Sequence, residues 1–490
     1  MAYSLLQKIL AIIIVILIFV VGQIIIFKNG SSRTAAILFR IDMIAVIESI
    51  MFLLSRMLWK TFIPLLTTLL LHNQFVSSPD VNGSKLSRRS LRKSKNSDVN
   101  LTTMNSDSGE HSDSTVPTAT TIKTGVPRIA HILGKVIFFI YLGLCHTSYL
   151  SNVFLINTDP HWLSMLAYAC FGSYIQLLTG LGMFKLLSLI VRLFAKLRNT
   201  AHDSSVLSNK NVAAFAFIYM IAASTLGLYT ASQPPGVKHV AVPVKDLPSN
   251  LEGLNIVQLS DIHLGPTVGF SKLTKIVEIV NEEKPDVIVL TGDLVDSTVE
   301  YLRRAAQPLQ TLHSKYGNYF VSGNHEYHTG DVDNWFIYLE SLGFTVLHNS
   351  NVKIPSTVAD GHGQICMAGT DDVQADRIGY IGHKFDLDKA VSSCSIDKPI
   401  ILLAHQPYAA KLALDSQYRI DLVLSGHTHG GQMFPLILGA YLLNPFFAGL
   451  YQYGEKGGFV YVSQGTQYWG IPMRIATSME ITRITLNKAI

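Results

Sequence analysis

The first 230 residues of this 490-residue chain are a succession of apolar stretches too long and too numerous for the interior of one soluble domain, and this limits where the chain can fold. Residues 5–27 are mostly Ile, Val, Leu and Phe, with Lys8 and Gln23 as almost the only interruptions. A bilayer core of about 30 Å is crossed by about 20 helical residues, so this stretch is expected to span a membrane. A cleavable leader is the competing reading, but the run exceeds the usual leader core and no A-x-A site precedes Lys28.

Residues 35–71 form a second apolar block that carries Arg40, Asp42, Glu48, Arg56 and Lys60. One tilted helix with its polar residues against other helices fits it, as does a span broken near Pro64. Asp42, Glu48 and Arg56 fit helix pairing more simply than a transport path. Three clearer stretches follow at 129–156, 161–190 and 212–231, which makes five expected spans: two within 1–71 and three within 129–231. Residues 72–128 between them are rich in Ser, Thr, Asn and Asp, cannot bury a core and read as a disordered polar and basic loop.

Basic residues favour the cytoplasmic side. The loop's Lys85, Arg88, Arg89, Arg92, Lys93 and Lys95, and Arg192, Lys196, Arg198 and Lys210 after the fourth span, therefore put everything after Ala231 on the lumenal or extracellular side. Lys28, Arg33 and the sequons at Asn82 and Asn100 argue the other way. The net charge of +5 is too thin to call for nucleic acid as a stable partner, and four scattered cysteines leave the compartment open.

After Gln233-Pro234-Pro235-Gly236 the composition changes, and residues 232–253 read as a linker to one domain at 254–490. Short apolar runs at 254–259, 287–290, 319–321, 400–404, 422–424 and 459–462 alternate with helical patterns at 272–283, 298–314 and 332–342, the rhythm of an α/β fold. Several runs end in polar residues: Asp261 and His263, Asp293, Asn324 and His325, His405, and His427 and His429. Strand ends of an α/β sheet are where ligands bind. Singly, each of these has a plain structural reading as a cap or turn residue. Together they offer nitrogen and oxygen ligands without thiolate, suited to Mn, Fe, Zn or Co, and enough of them for two divalent cations if a carboxylate bridges. Two such ions set against Asp261 and Asp293 leave a net positive site that suits a phosphate-ester substrate.

D-x-H at Asp261, G-D at Gly292, G-N-H-E at Gly323, the lone His405 and G-H-T-H at Gly426 resemble, in order, the calcineurin-like metallophosphoesterases. The resemblance covers about 254–480 and implies a four-layer αββα sandwich behind the helical multispan region. It further implies that Asp261, His263 and His429 hold one metal, that Asn324, His405 and His427 hold the other, and that Asp293 bridges. His325 would be the acid that protonates the leaving group, oriented by Asp296 of the G-D-x-x-D run, although Asp296 also fits a helix N-cap. One departure is Ser297, where phosphoprotein phosphatases of this superfamily carry a phosphate-binding Arg. That turns the expectation toward phosphodiesters or small phosphomonoesters, with lipid headgroups, nucleotides and the membrane lipid itself as the expected company. The alternative is a non-enzymatic membrane receptor or scaffold with a relict domain, against which the intact ligand set argues. His313, His328, His348 and His362 lie outside the motif and read as surface or loop residues, with pocket lining as the alternative for His328.

Overall fold

The computed structural model describes residues 32–72, 126–198, 208–357 and 363–489. The expected span at 5–27, loop residues 73–125 and His362 lie outside the described residues.

Four long helices make up the described first half: α1 (Ser32–His72), α2 (Val126–Thr147), α3 (Trp162–Leu197) and α4 (Asn209–Ser232). Helix α1 runs unbroken through Pro64, and its 41 residues measure about 61 Å, roughly twice a bilayer core. It pairs antiparallel with α2: Glu48 meets His146 at 2.5 Å, and Phe62 packs against Phe138. Helices α3 and α4 are likewise antiparallel, with the Tyr219 hydroxyl donating to Gln176 Oε1 at 3.1 Å and Phe184 against Phe215. Both α3 and α4 are long and apolar enough to cross a membrane.

The second half holds two six-stranded sheets. With strands numbered in chain order, and β1 (Gly236–Val244), β5 (Phe344–Val346), β6 (Ser350–Ile354), β7 (Ile365–Gly369), β10 (Gly449–Tyr453), β11 (Gly458–Val462) and β12 (Glu480–Lys488) flanking the strands named next, one sheet has the order β1-β12-β2-β3-β4-β5 and the other β10-β11-β9-β8-β7-β6. The strands that matter for the site are β2 (Leu254–Leu259), β3 (Val287–Thr291), β4 (Asn318–Val321), β8 (Ile400–Leu403) and β9 (Leu422–Ser425). β2, β3 and β4 pair in parallel, as do β8 and β9, so within each sheet the carboxyl ends of these strands point one way. Alternation along β3 serves two interfaces. Val287 and Val289 join Met367, Leu403 and Leu424 in the core between the sheets, whereas Ile288 and Leu290 face Ile276, Leu302 and Leu339 of the covering helices. On the far side Ala409 and Ala413 cover Leu402 and Val423. The layers are thus helix, sheet, sheet, helix. Helix α5 (Phe270–Glu282) shows why the pattern was legible, because Leu273, Ile276, Val277 and Val280 repeat at helical spacing and are all buried.

Two expectations are corrected. Residues 232–253 are not a free linker: β1 (Gly236–Val244) runs parallel to β12 (Glu480–Lys488), in register from Gly236↔Glu480 to Val244↔Lys488. An edge strand is half exposed and tolerates Pro243, so Pro234, Pro235 and Pro243 give the segment the look of a linker despite Val240, Val242 and Val244. The helix expected over 298–314 is Val299–Ala306 followed by a 3₁₀ turn at Gln307–Thr311, since Pro308 lacks the N–H that α-helix continuation needs. The two halves also share a core, with Met433, Ile471 and Met473 packed among Leu58, Phe171, Tyr174 and Leu177 of the long helices. Cys366 on β7 (Ile365–Gly369) is disulfide-bonded to Cys394, a pairing the spacing alone did not reveal.

Candidate metal centre

Each site residue leaves the carboxyl end of a strand: Asp261 and His263 after β2, Asp293 and Asp296 after β3, Asn324 and His325 after β4, His405 after β8, and His427 and His429 after β9. Among the described residues ten non-glycine positions have positive φ, and five of them are Asp261, His263, Asp293, His427 and His429. Left-handed backbone costs such residues energy, and its concentration here marks a place where side chains are aimed at the expense of local comfort. Gly426 allows the closest approach, because a Cβ there would collide with the Asp261 carboxylate.

The structure brings all seven expected ligands together. His263 Nε2 lies 2.9 Å from His429 Nε2, and His429 Nε2 is 3.3 Å from Asp261 Oδ1. On the other side His405 Nε2 is 3.1 Å from Asp293 Oδ2, and His427 Nδ1 is 2.8 Å from Asn324 Oδ1. Asp293 stands between the two groups, with Oδ2 3.8 Å from His263 Nε2. Asp261, Asp293 and His405 are almost wholly buried.

Second contacts aim the rings. His405 Nδ1 donates to the Thr291 carbonyl at 2.7 Å, which turns Nε2 toward the Asp293 carboxylate; that atom is buried and makes no well-formed hydrogen bond. An orphaned imidazole nitrogen directed at a carboxylate is what a cation site requires, so the donor set fits a divalent metal. Asp296 Oδ1 accepts from His263 Nδ1 at 2.9 Å and lies 2.7 Å from His325 Nδ1. It is not the helix cap: Thr298 occupies that position, and Asp331 accepts from the N–H of Val299.

Burial and neighbouring charge pull these groups apart. Burial disfavours the Asp293 charge, yet the imidazoles of His405, His325 and His263 hold its carboxyl well below the usual range. His405 is raised correspondingly, the Asp293 carboxylate outweighing burial. Burial, followed by nearby imidazoles, pushes His427 down to about 3 and His429 well below its ordinary value, so both remain neutral donors. His325 is raised to about 9, because Asp293 and Asp296 overcome its burial.

Further residues build the site without having been singled out in the sequence. The Glu326 carboxylate accepts from the N–H groups of Gly323, Asp293 and Leu294 at 2.6, 3.0 and 2.7 Å, clamping the turn that carries Asp293; only its place in the G-N-H-E run hinted at this. Fully buried Arg474 donates to the His429 carbonyl at 2.6 Å and to that of Gln467. Arg40 of α1 donates to the Asp296 carbonyl at 3.3 Å and, with His325, His328 and Trp469, lines a niche of about 40 Å³. A cation therefore stands beside His325 and Asp296 although the motif position is Ser297. His328 lines this niche, the alternative its sequence position left open; His348 is paired with Asp371 at 2.7 Å, and His313 is exposed.

Paired sheets with a carboxylate and imidazole cluster at their strand ends define the metal-dependent phosphoesterases. Residues 254–431 match the family model described as calcineurin-like phosphoesterase. The chain is 48% identical over 365 residues, 74% of its length and 82% of the relative's, to a zebrafish (Danio rerio) protein called transmembrane protein with metallophosphoesterase domain. It is also 48% identical to the bovine (Bos taurus) protein of that name, over 73% of this chain and 81% of that one. An uncharacterized metallophosphoesterase of Helicobacter pylori is 32% identical over 71% of this chain and 88% of its own length. The chain belongs to the calcineurin-like metallophosphoesterases.

Proposed function

We propose that the protein is a membrane-embedded phosphoesterase holding two divalent cations, with its catalytic domain on the lumenal or extracellular side. Asp293 carries this reading, because it stands within reach of both ligand groups. Asp261, His263 and His429 would hold one cation, Asn324, His405 and His427 the other, and Asp293 both. Mixed imidazole and carboxylate donors suit Mn, Fe, Zn or Co. When bound, such ions polarise a phosphoryl oxygen and make water acidic enough to serve as nucleophile near neutral pH. The chain's own residues do the rest. Asp296 occupies His325 Nδ1, so Nε2 is the nitrogen left to deliver a proton to the departing alkoxide. Asn324 contributes an oxygen without adding charge, which keeps the site positive toward a phosphodiester or small phosphomonoester.

Three observations support the placement. The helices present apolar side chains outward, Phe52, Leu53, Phe139 and Ile218 among them. The antiparallel pairings put Arg40, Asp159 and Ala231 against the catalytic domain, so the described helix ends His72, Val126, Leu197 and Asn209, which border the basic stretches of the sequence, point the other way. A disulfide in the catalytic domain fits an oxidising compartment.

The test uses the full chain in detergent with Mn and two chromogenic esters, 4-nitrophenyl phosphate and bis(4-nitrophenyl) phosphate. Hydrolysis of either, abolished in Asp293→Ala together with metal content, is the expected result. Equal turnover by the two proteins overturns the reading.

A further inference from the structure

We infer that the ester this centre takes is an amphiphile whose alkyl or acyl tail lies in an apolar chamber roofed by the helical half; the inference rests on the phosphoesterase reading and narrows its substrate. A chamber of about 440 Å³ opens directly off His427 and His429. Its roof is Ile47 of α1 with Phe171 and Ile175 of α3, and its outer wall is Leu436 and Ala440. A substrate phosphate at the metal ligands therefore has a mainly apolar chamber next to one of its ester oxygens. Gln432, which also faces the chamber, has its side chain occupied: Nε2 donates to the Trp469 and Ile471 carbonyls and Oε1 accepts from the N–H of Trp469. Thr428 is likewise engaged with the Phe447 carbonyl. Neither is free to recognise a sugar or a base, whereas the walls match a hydrocarbon.

A second observation shows how such a tail arrives. Leu436 and Ala440 belong to the helix Leu436–Leu443, sequence LILGAYLL, which has no buried residue. It exposes Leu438 at 56%, Leu442 at 79% and Leu443 at 84%. A surface helix this apolar is costly in water and at home in the interfacial layer of a bilayer. It is tied to the long helices at its start, where Gln176 Nε2 donates to the Phe434 carbonyl at 2.8 Å. One face of this helix thus meets lipid while Leu436 and Ala440 wall the chamber, giving an amphiphile a lateral route to the histidines.

The experiment compares methyl, butyl and octyl 4-nitrophenyl phosphodiesters, which share a leaving group, on the full chain with Mn in digitonin, a detergent without an alkyl chain. The expected result is a rise in kcat/KM on the order of 100-fold from methyl to octyl, through KM, since each buried methylene strengthens binding. Ile175→Trp and, independently, Ala440→Phe fill the chamber and should collapse the octyl-to-methyl ratio toward one. A second readout is photocrosslinking of octylphosphonate bearing a terminal diazirine, with and without Mn, expected on peptides holding Phe171 or Leu436. A flat series with the methyl ester hydrolysed overturns the tail site and leaves the phosphoesterase reading standing. If no ester is hydrolysed, that reading fails, and crosslinking alone decides the tail site: label on chamber peptides sustains it and label elsewhere overturns it.

Discussion

Gly172 of helix α3 lies so close to Met473 of the catalytic domain that a Cβ at residue 172 would stand 2.7 Å from Met473 Sδ. The same atom would be 2.6 Å from Ile471 Cγ2. Arg474 follows directly, its N–H donating to the Gly227 carbonyl of α4 at 3.1 Å while its guanidinium holds the His429 carbonyl. Arg474 therefore couples the long helices to the loop that carries His429. Gly172→Val is expected to cut turnover at least roughly tenfold while the protein stays folded, because overpacking of ~1–3 kcal/mol is enough to shift a catalytic side chain but not to unfold a domain. Gly182→Val, where a Cβ meets nothing within 4 Å, is the control and should match wild type.

Asp296 serves two histidines, and its removal should show two defects. His325→Ala should lower kcat by about 10²–10⁴-fold with Mn affinity unchanged, the loss expected of a general acid. Asp296→Asn should lower kcat and also weaken Mn binding by roughly 10–100-fold, because His263 loses the partner that orients it. Titration of Mn into both variants checks this, and identical Mn affinity would reduce Asp296 to a partner of His325 alone.

Arg40 should act on substrate binding. Its guanidinium lies in the niche with His325, where the sequence motif provides only Ser297. Arg40→Met is expected to raise KM for the phosphodiester about tenfold or more with metal content intact, and Arg40→Lys to recover part of it, as lysine keeps the charge but loses the planar fork. An unchanged KM in Arg40→Met would confine the residue to tying α1 to the Asp296 carbonyl.

These cases also show what the chain reveals before it folds. All nine motif residues were legible because each follows a short buried strand within a few positions, so the local run and its polar end appear together. Arg40 was read as an intramembrane charge, and its real neighbour Asp296 is 256 residues away. Nothing local distinguishes Arg474 or Trp469 from other loop residues either. β1 escaped because an edge strand buries one face, and the Cys366–Cys394 pairing depends on how β7 is placed beside the loop that precedes β8.

The disulfide offers a direct test of sidedness. Half-buried Cys394 should resist a membrane-impermeant maleimide until a reductant is added and then label, in intact cells if the domain is extracellular and after permeabilisation if it is lumenal, and Cys366→Ser should cost about 2–4 kcal/mol of stability. Labelling of Cys394 after permeabilisation without any reductant would put the domain in the cytosol.

Lys272 links the halves through charge. Its ammonium lies 4.4 Å from the centroid of the Tyr468 ring and donates to the Tyr468 hydroxyl at 3.0 Å and the Ala231 carbonyl at 3.4 Å. Burial lowers its pKa from 10.5 to about 8. Between those values the unfolded chain binds more protons than the folded one, so stability rises with pH across that window, and the penalty for charging the buried amine is fully present below pH 8. Because the side chain is partly exposed, the gain is on the order of 1–2 kcal/mol. Thermal unfolding of the detergent-solubilised protein at pH 7, 8.5 and 10 should show wild type climbing relative to Lys272→Met, whose unfolding temperature lacks this increment and starts higher at pH 7. Parallel curves for the two proteins would mean that Lys272 reaches water in the folded state and that the junction between α4 and α5 is open to solvent.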